Sequence, residues 1–140
     1  MGEAFFDTNV LLYLLSEDAR KADRAEEVVA GGGVISVQVL NEFASVAVRK
    51  LRMTYPEVRD ALAPLRTLCA VEPLTPKIHD LGLDLAERFG FSVYDALIVA
   101  SALQRCDTLY SEDLQDGQRI DGHLVIRNPF REGSHQPLES

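Results

Sequence analysis

Asp7, Glu42, Asp95 and Asp113 are the residues of this 140-residue sequence whose types and setting could do chemistry together. Four carboxylates gathered in a partly apolar place repel one another, and an unpaired buried charge is costly. A divalent cation resolves that repulsion. Hard oxygen donors with no neighbouring His or Cys set favour Mg²⁺ or Mn²⁺ over zinc, and Mg²⁺ is commonly completed by substrate phosphate oxygens. That combination suits phosphodiester hydrolysis: the ion polarises the phosphoryl group, generates or orients an attacking water and offsets charge on the leaving oxygen. Taken singly, each acid has a plainer explanation. Asp7 could be a turn or capping residue, Asp95 stands three residues after Ser92 in a capping box, Glu42 could be solvated, and Asp113 and Asp116 could be loop acids.

The elements that must position these acids read as strands alternating with helices. Glu3-Ala-Phe-Phe is a short strand that stops at Asp7-Thr8-Asn9, and Thr8 or Asn9 is placed to cap a helix over Val10 to Leu15. A polar helix covers Asp18 to Ala30, and Gly31 to Gly33 end it. Val34-Ile35 is a strand, and Ser36 caps a helix running to about Arg52. Thr54, Pro56 and Glu57 open another helix by a capping box, with Pro64 expected to end or kink it. Cys69-Ala-Val is a strand, Thr75-Pro76 starts a helix that Gly90 stops, and Ser92 begins the most apolar helix, Val93 to Leu103. Strands follow at Thr108 to Tyr110 and Leu124 to Ile126.

Strands joined through helices require crossover connections, so the expected architecture is a three-layer α/β/α fold with a mainly parallel central sheet. Residues 1–130 are expected to form one domain and residues 131–140 a loose tail. In such sheets ligands bind outside the carboxyl ends of the strands. Asp7, Asp95 and Asp113 all fall at junctions that reach that rim. Glu42 lies two turns into its helix, about 100° from the centre of the apolar stripe set by Phe43, so it can point along the rim.

The make-up is that of an ordinary globular protein, with 46% hydrophobic and 26% charged residues, which argues against general disorder. The longest apolar run, Val10 to Leu15, falls far short of the ~20 residues a membrane span needs. Glu3 and Asp7 stand where a secretory leader would carry positive charge, and the expected location is the cytoplasm. Cys69 and Cys106 form no framework and read as small buried apolar residues. A formal net charge of −8 disfavours diffuse binding to nucleic acid through a basic surface. The charge is uneven: Arg49 to Arg66 holds five bases and two acids, whereas Asp80 to Asp116 holds eight acids and two bases. Arg49, Lys50 and Arg52 read as a solvated helix face, with a grip on RNA as the functional alternative. His79, His123 and His135 show no metal spacing. No Lys-Ser or Lys-Thr follows Gly31 to Gly33, so a helix stop is a better reading than a phosphate loop.

Phe6-Asp7-Thr8-Asn9-Val10-Leu11-Leu12, Asn41-Glu42-Phe43, Val93-Tyr94-Asp95-Ala96-Leu97-Ile98-Val99-Ala100-Ser101-Ala102 and Leu109-Tyr110-Ser111-Glu112-Asp113-Leu114-Gln115-Asp116-Gly117 together resemble the PIN-domain nucleases, and most of all the VapC-type toxins of bacterial toxin–antitoxin pairs. The likeness runs from the first strand to Asn128-Pro129-Phe130, and it is the order and separation of the motifs that make it specific. It implies a Mg²⁺- or Mn²⁺-dependent endoribonuclease whose acidic centre matches Asp7, Glu42, Asp95 and Asp113. Asp116 would be an additional acid toward a second ion or a water, and Asn9 and Ser111 would hold acids or waters in place. The resemblance also implies a homodimer silenced by a cognate antitoxin. Two other classes share an acidic α/β scaffold. A receiver-like domain would want a lysine where Ser111-Glu112-Asp113 stands, and a haloacid-dehalogenase-like phosphatase a second Asp where Asn9 sits. A catalytically idle interaction module would be expected to lack some of the four acids.

Overall fold

A computed structural model describes residues 3–131. Its centre is a six-stranded sheet in the order β3-β2-β1-β4-β6-β5. The strands are β1 (Glu3–Phe6), β2 (Gly33–Ser36), β3 (Cys69–Glu72), β4 (Cys106–Tyr110), β5 (Arg119–Ile120) and β6 (Leu124–Arg127). All neighbouring pairs are parallel except the β5–β6 edge, which is antiparallel. The flanking helices are α1 (Thr8–Leu12), followed by a 3₁₀ turn at Tyr13–Leu15, then α2 (Ala19–Val29), α3 (Val37–Arg49), α4 (Tyr55–Leu68), α5 (Pro76–Phe89) and α6 (Val93–Leu103). The mainly parallel α/β architecture expected from the alternation of elements is the one observed.

Local chemistry accounts for most of the boundaries. The hydroxyls of Ser36, Thr54, Thr75 and Ser92 each accept a hydrogen bond from a free N–H in the first turn of α3, α4, α5 and α6. Gly90 closes α5 in the left-handed conformation, at φ 79°. Three readings are corrected. The cap of α1 is Asp7 itself, whose carboxylate accepts from the Thr8 N–H, and not Thr8 or Asn9. Pro64 does not end α4, which runs on to Leu68. It cannot donate to the carbonyl of Asp60, but both residues are exposed, so water can satisfy that oxygen. The short strand β5 was not foreseen, because two residues hold no readable alternation.

The core is continuous across the sheet, with Phe5, Phe6, Phe43, Ile35, Leu109 and Ile126 all but fully buried. Helix α6 is buried without a break from Ala96 to Ala102, which explains its lack of a polar face. Gly82 of α5 lets that helix lie against α6, since a Cβ there would stand 2.8 Å from Leu97 Cδ2. Cys69 and Cys106 are buried and unpaired, as expected, and burial pushes the Cys106 thiol up to about 12. No helix among the described residues is long and apolar enough to cross a membrane. Beyond Arg131, the expected tail lies outside the described residues.

Candidate metal centre

Strand order reverses between β1 and β4: from β1 the chain builds outward through β2 and β3, and from β4 the other way. Such a switch point leaves a crevice at the carboxyl ends of the two strands. Phe6 and Tyr110 are register partners there, so the residues that follow them, Asp7 and Ser111, become neighbours although 104 positions apart. The Asp7 N–H donates to the Tyr110 carbonyl at 3.0 Å and the Ser111 N–H to the Arg127 carbonyl at 2.9 Å, which extends the ladder one residue past the strands.

Asp7 is 3% exposed and both its oxygens are held. Oδ1 accepts from the Thr8 N–H at 2.7 Å and Oδ2 from the Ser111 hydroxyl at 2.7 Å. Burial pushes this carboxyl from its ordinary 3.8 up to about 6, and the negative charges of Asp113 and Asp95 add to the rise against the opposing effect of the two hydrogen bonds. Asp95, in the first turn of α6, is also raised, first by burial and then by Asp113 and Glu42. Glu42 on α3 is steered by two residues. Thr8 Oγ1 donates to its Oε1 at 2.8 Å, and Gln38 Nε2, one helical turn earlier, donates to its Oε2 at 3.0 Å. Ser111 Oγ in turn accepts from the N–H groups of Asp113 and Leu114, at 3.2 and 3.3 Å, and so turns the loop that carries Asp113.

Asp113 and Asp95 thus bear on Asp7, Asp113 and Glu42 bear on Asp95, and among the described residues none of the four acids forms an ion pair. The other expected residues divide. Asn9 Oδ1 accepts from the Glu112 N–H at 3.4 Å, while its buried Nδ2 has no partner. Asp116 faces elsewhere: its carboxylate accepts from the Asn128 N–H and from Arg131, both at 2.7 Å. A groove of about 470 Å³ runs from Asp113, Glu42 and Asn9 along α3 to Arg49, with Tyr94 on its wall. Lys50 and Arg52 do not line it and are exposed past the end of α3. Sequence reasoning passed over Thr8 and Gln38. Gln38 stands four residues before Glu42, a helical spacing that could have flagged it.

This site fits a divalent cation in donor chemistry, since every candidate ligand is a hard oxygen, and in the negative charge left without a counter-ion. It is wider than a closed coordination shell. Among the described residues no three His, Cys, Asp or Glu side chains are drawn close enough to hold an ion as they stand. Mutual repulsion of like charges favours such an open arrangement.

A family model described as PIN domain matches residues 4–118. Comparison with curated proteins finds none that matches the chain. Among solved structures, the chain is similar to the Mycobacterium tuberculosis sarcin-ricin loop cleaving toxin VapC20, with TM-score 0.65 and 24% identity over 79% of this chain and 89% of that one. It is similar to a toxin–antitoxin complex from Klebsiella pneumoniae, with TM-score 0.68 and 23% identity over 91% and 98% of the two chains. It is also similar to VapBC2 from Rickettsia felis bound to a DNA fragment from their promoter, with TM-score 0.62 and 19% identity over 89% and 97%. At these identities the likeness is one of fold.

Proposed function

The chain belongs to the PIN-domain family, and on that premise we propose that it is a Mg²⁺- or Mn²⁺-dependent endoribonuclease, the toxin of a toxin–antitoxin pair. The observation that carries this reading is that Asp7, Glu42, Asp95 and Asp113 gather around one switch point, near enough to influence one another electrostatically, with no ion pair to any of them among the described residues. RNA as substrate class is supported by the similar sarcin-ricin loop cleaving toxin, and an antitoxin partner by the two similar complexes. The reading includes a homodimer in the cytoplasm, where both copies of Arg49 to Arg66 would offset the net charge of −8 toward RNA.

When bound, a divalent ion would supply Lewis-acid polarisation of the phosphoryl group and an activated water. The protein's part is positioning. Asp7, Asp95 and Asp113 are the ligands in this proposal, Asp7 with its oxygens already fixed by Thr8 and Ser111. Glu42, aimed by Thr8 and Gln38, is a further ligand or orients the attacking water. Arg49 at the far end of the groove offers a guanidinium to a flanking phosphate, and the exposed ring of Tyr94 a face on which an unpaired base can stack. In-line attack on phosphorus would leave a 5′-phosphate and a 3′-hydroxyl. Asp116, held by Arg131 and the Asn128 N–H, anchors the loop in this scheme.

The test is incubation of the purified protein with structured RNAs in Mn²⁺, Mg²⁺ or EDTA, beside an Asp95→Asn variant. Cutting is expected from the parent in either metal, none in EDTA, and a loss of at least ~100-fold in the variant. Cleavage that persists in EDTA, or turnover of a chromogenic phosphomonoester in place of RNA, would show that the acids serve a different chemistry.

A further inference from the structure

Glu112 stands beside the acid centre, between Ser111 and Asp113, and its carboxylate is turned away from it. The Tyr13 hydroxyl donates to Oε1, and Lys21 Nζ donates to Oε2 at 3.0 Å and to the Tyr13 hydroxyl at 3.0 Å. The ammonium also lies 4.3 Å from the centre of the Tyr13 ring and 5.7 Å from that of Phe130, and these two rings meet edge to face at 4.6 Å. On the backbone side, the Glu112 N–H is taken by Asn9 Oδ1. Three parts of the chain remote in sequence, α2 with the 3₁₀ turn before it, the loop after β4 and the segment at Phe130, thus converge on one acid whose neighbour is Asp113.

We infer that Lys21 and Tyr13 are positioning residues for the metal centre: they hold Glu112 out of it and thereby set where Asp113 stands. The inference rests on the proposed metal reading. The energetic argument is that Asp113 stands among repelling acids on an exposed loop, so the loop needs an attractive anchor to stay there. An ion pair sharing a hydroxyl and two ring faces is better suited to this than an isolated surface pair. Without Lys21, the Glu112 carboxylate would keep only the Tyr13 hydroxyl and lose its counter-charge, and the loop would be freer to relax away from Asp7 and Asp95. Residues that orient metal ligands from behind commonly change metal affinity or activity 10–100-fold when removed.

The experiment is a Mn²⁺ titration followed by the electron paramagnetic resonance of the free ion, which needs no turnover. Parent, Lys21→Met, Lys21→Arg and Tyr13→Phe are compared, with circular dichroism to check folding. Lys21→Met is expected to weaken Mn²⁺ binding by about tenfold or more, and Lys21→Arg to restore it to within about threefold. Should Lys21→Met fail to fold, Tyr13→Phe, which deletes one hydroxyl, carries the same test with an expected loss of about threefold. Folded variants that bind Mn²⁺ like the parent would overturn the inference while leaving the metal reading intact. A parent that binds no Mn²⁺ would remove the metal reading and this role with it.

Discussion

A carboxyl group raised from 3.8 to about 6 by folding binds its proton more tightly in the folded state than in the unfolded one, and at Asp7 the sign of the consequence follows directly. The stability it contributes is fully present below pH ~3.8 and is lost as pH rises through about 6, a difference of about 3 kcal/mol. At neutral pH the metal-free protein therefore carries a strained, ionised Asp7. Asp7→Asn should raise the unfolding free energy of the metal-free protein at pH 7.5, read from urea denaturation, by about 2 kcal/mol, and have little effect at pH 4.5. Mn²⁺ should stabilise the parent against urea and leave Asp7→Asn nearly unchanged, because a ligand stabilises only the state that binds it. A variant less stable than the parent at pH 7.5 would show that the hydrogen bonds from Thr8 and Ser111 outweigh the burial of charge.

The elements behind the site are held by close backbone approach at one position. Gly33 begins β2 beside β1, and a Cβ there would stand 2.5 Å from the Ala4 carbonyl oxygen and 2.8 Å from the Phe6 ring. Phe6 immediately precedes Asp7 and is fully buried, so neither contact can give way without moving the strand that presents the acid. Gly33→Ala is expected to cost about 2 kcal/mol and lower the thermal midpoint by roughly 5–10 °C, measured by circular dichroism. Gly90→Ala would meet nothing within 4 Å, but it places a side chain on a left-handed residue and is expected to cost about 1 kcal/mol through backbone strain alone. Helix capping operates at the same scale. Every cap that fixes an acid, Asp7 on α1, Ser36 before Glu42 and Ser92 before Asp95, sits at the carboxyl rim or leads into the helix that reaches it.

For the whole molecule, a net charge of −8 disfavours long-range attraction to a polyanion, so the proposed RNA substrate would be held by the proposed ion, by stacking and by a few local cations. In the proposed function Arg49 is the cation for this role, since it lines the groove while Lys50 and Arg52 do not. Arg49→Ala should weaken RNA binding about equally across sequences and reduce the slope of log affinity against log salt by about one, read by filter binding in the Asp95→Asn background. An unchanged slope would place the phosphate contact elsewhere, and the Arg59 and Arg66 side chains of α4 would then be the next to substitute.

Read alone, the sequence determined the alternation of strands and helices and the mainly parallel sheet, and it singled out the four acids as candidates, because apolar runs, capping residues and glycine stops act over a few residues and are visible as text. Ser36, Thr54, Thr75 and Ser92 are caps in the structure as they are in the string. The strand order, and with it the crevice between β1 and β4, was decided only by tertiary structure, since no local signal says which strand lies beside which. Only the fold could show which acid Ser111 reaches, that Gln38 and Thr8 aim Glu42, or that Glu112 and Asp116, within three residues of Asp113 in the text, are drawn off by Lys21 and Arg131. Hydrogen bonds and ion pairs act over about 3 Å in space regardless of separation along the chain, so the acids and, through the family resemblance, Ser111 were legible while Gln38, Lys21 and Arg131 were not.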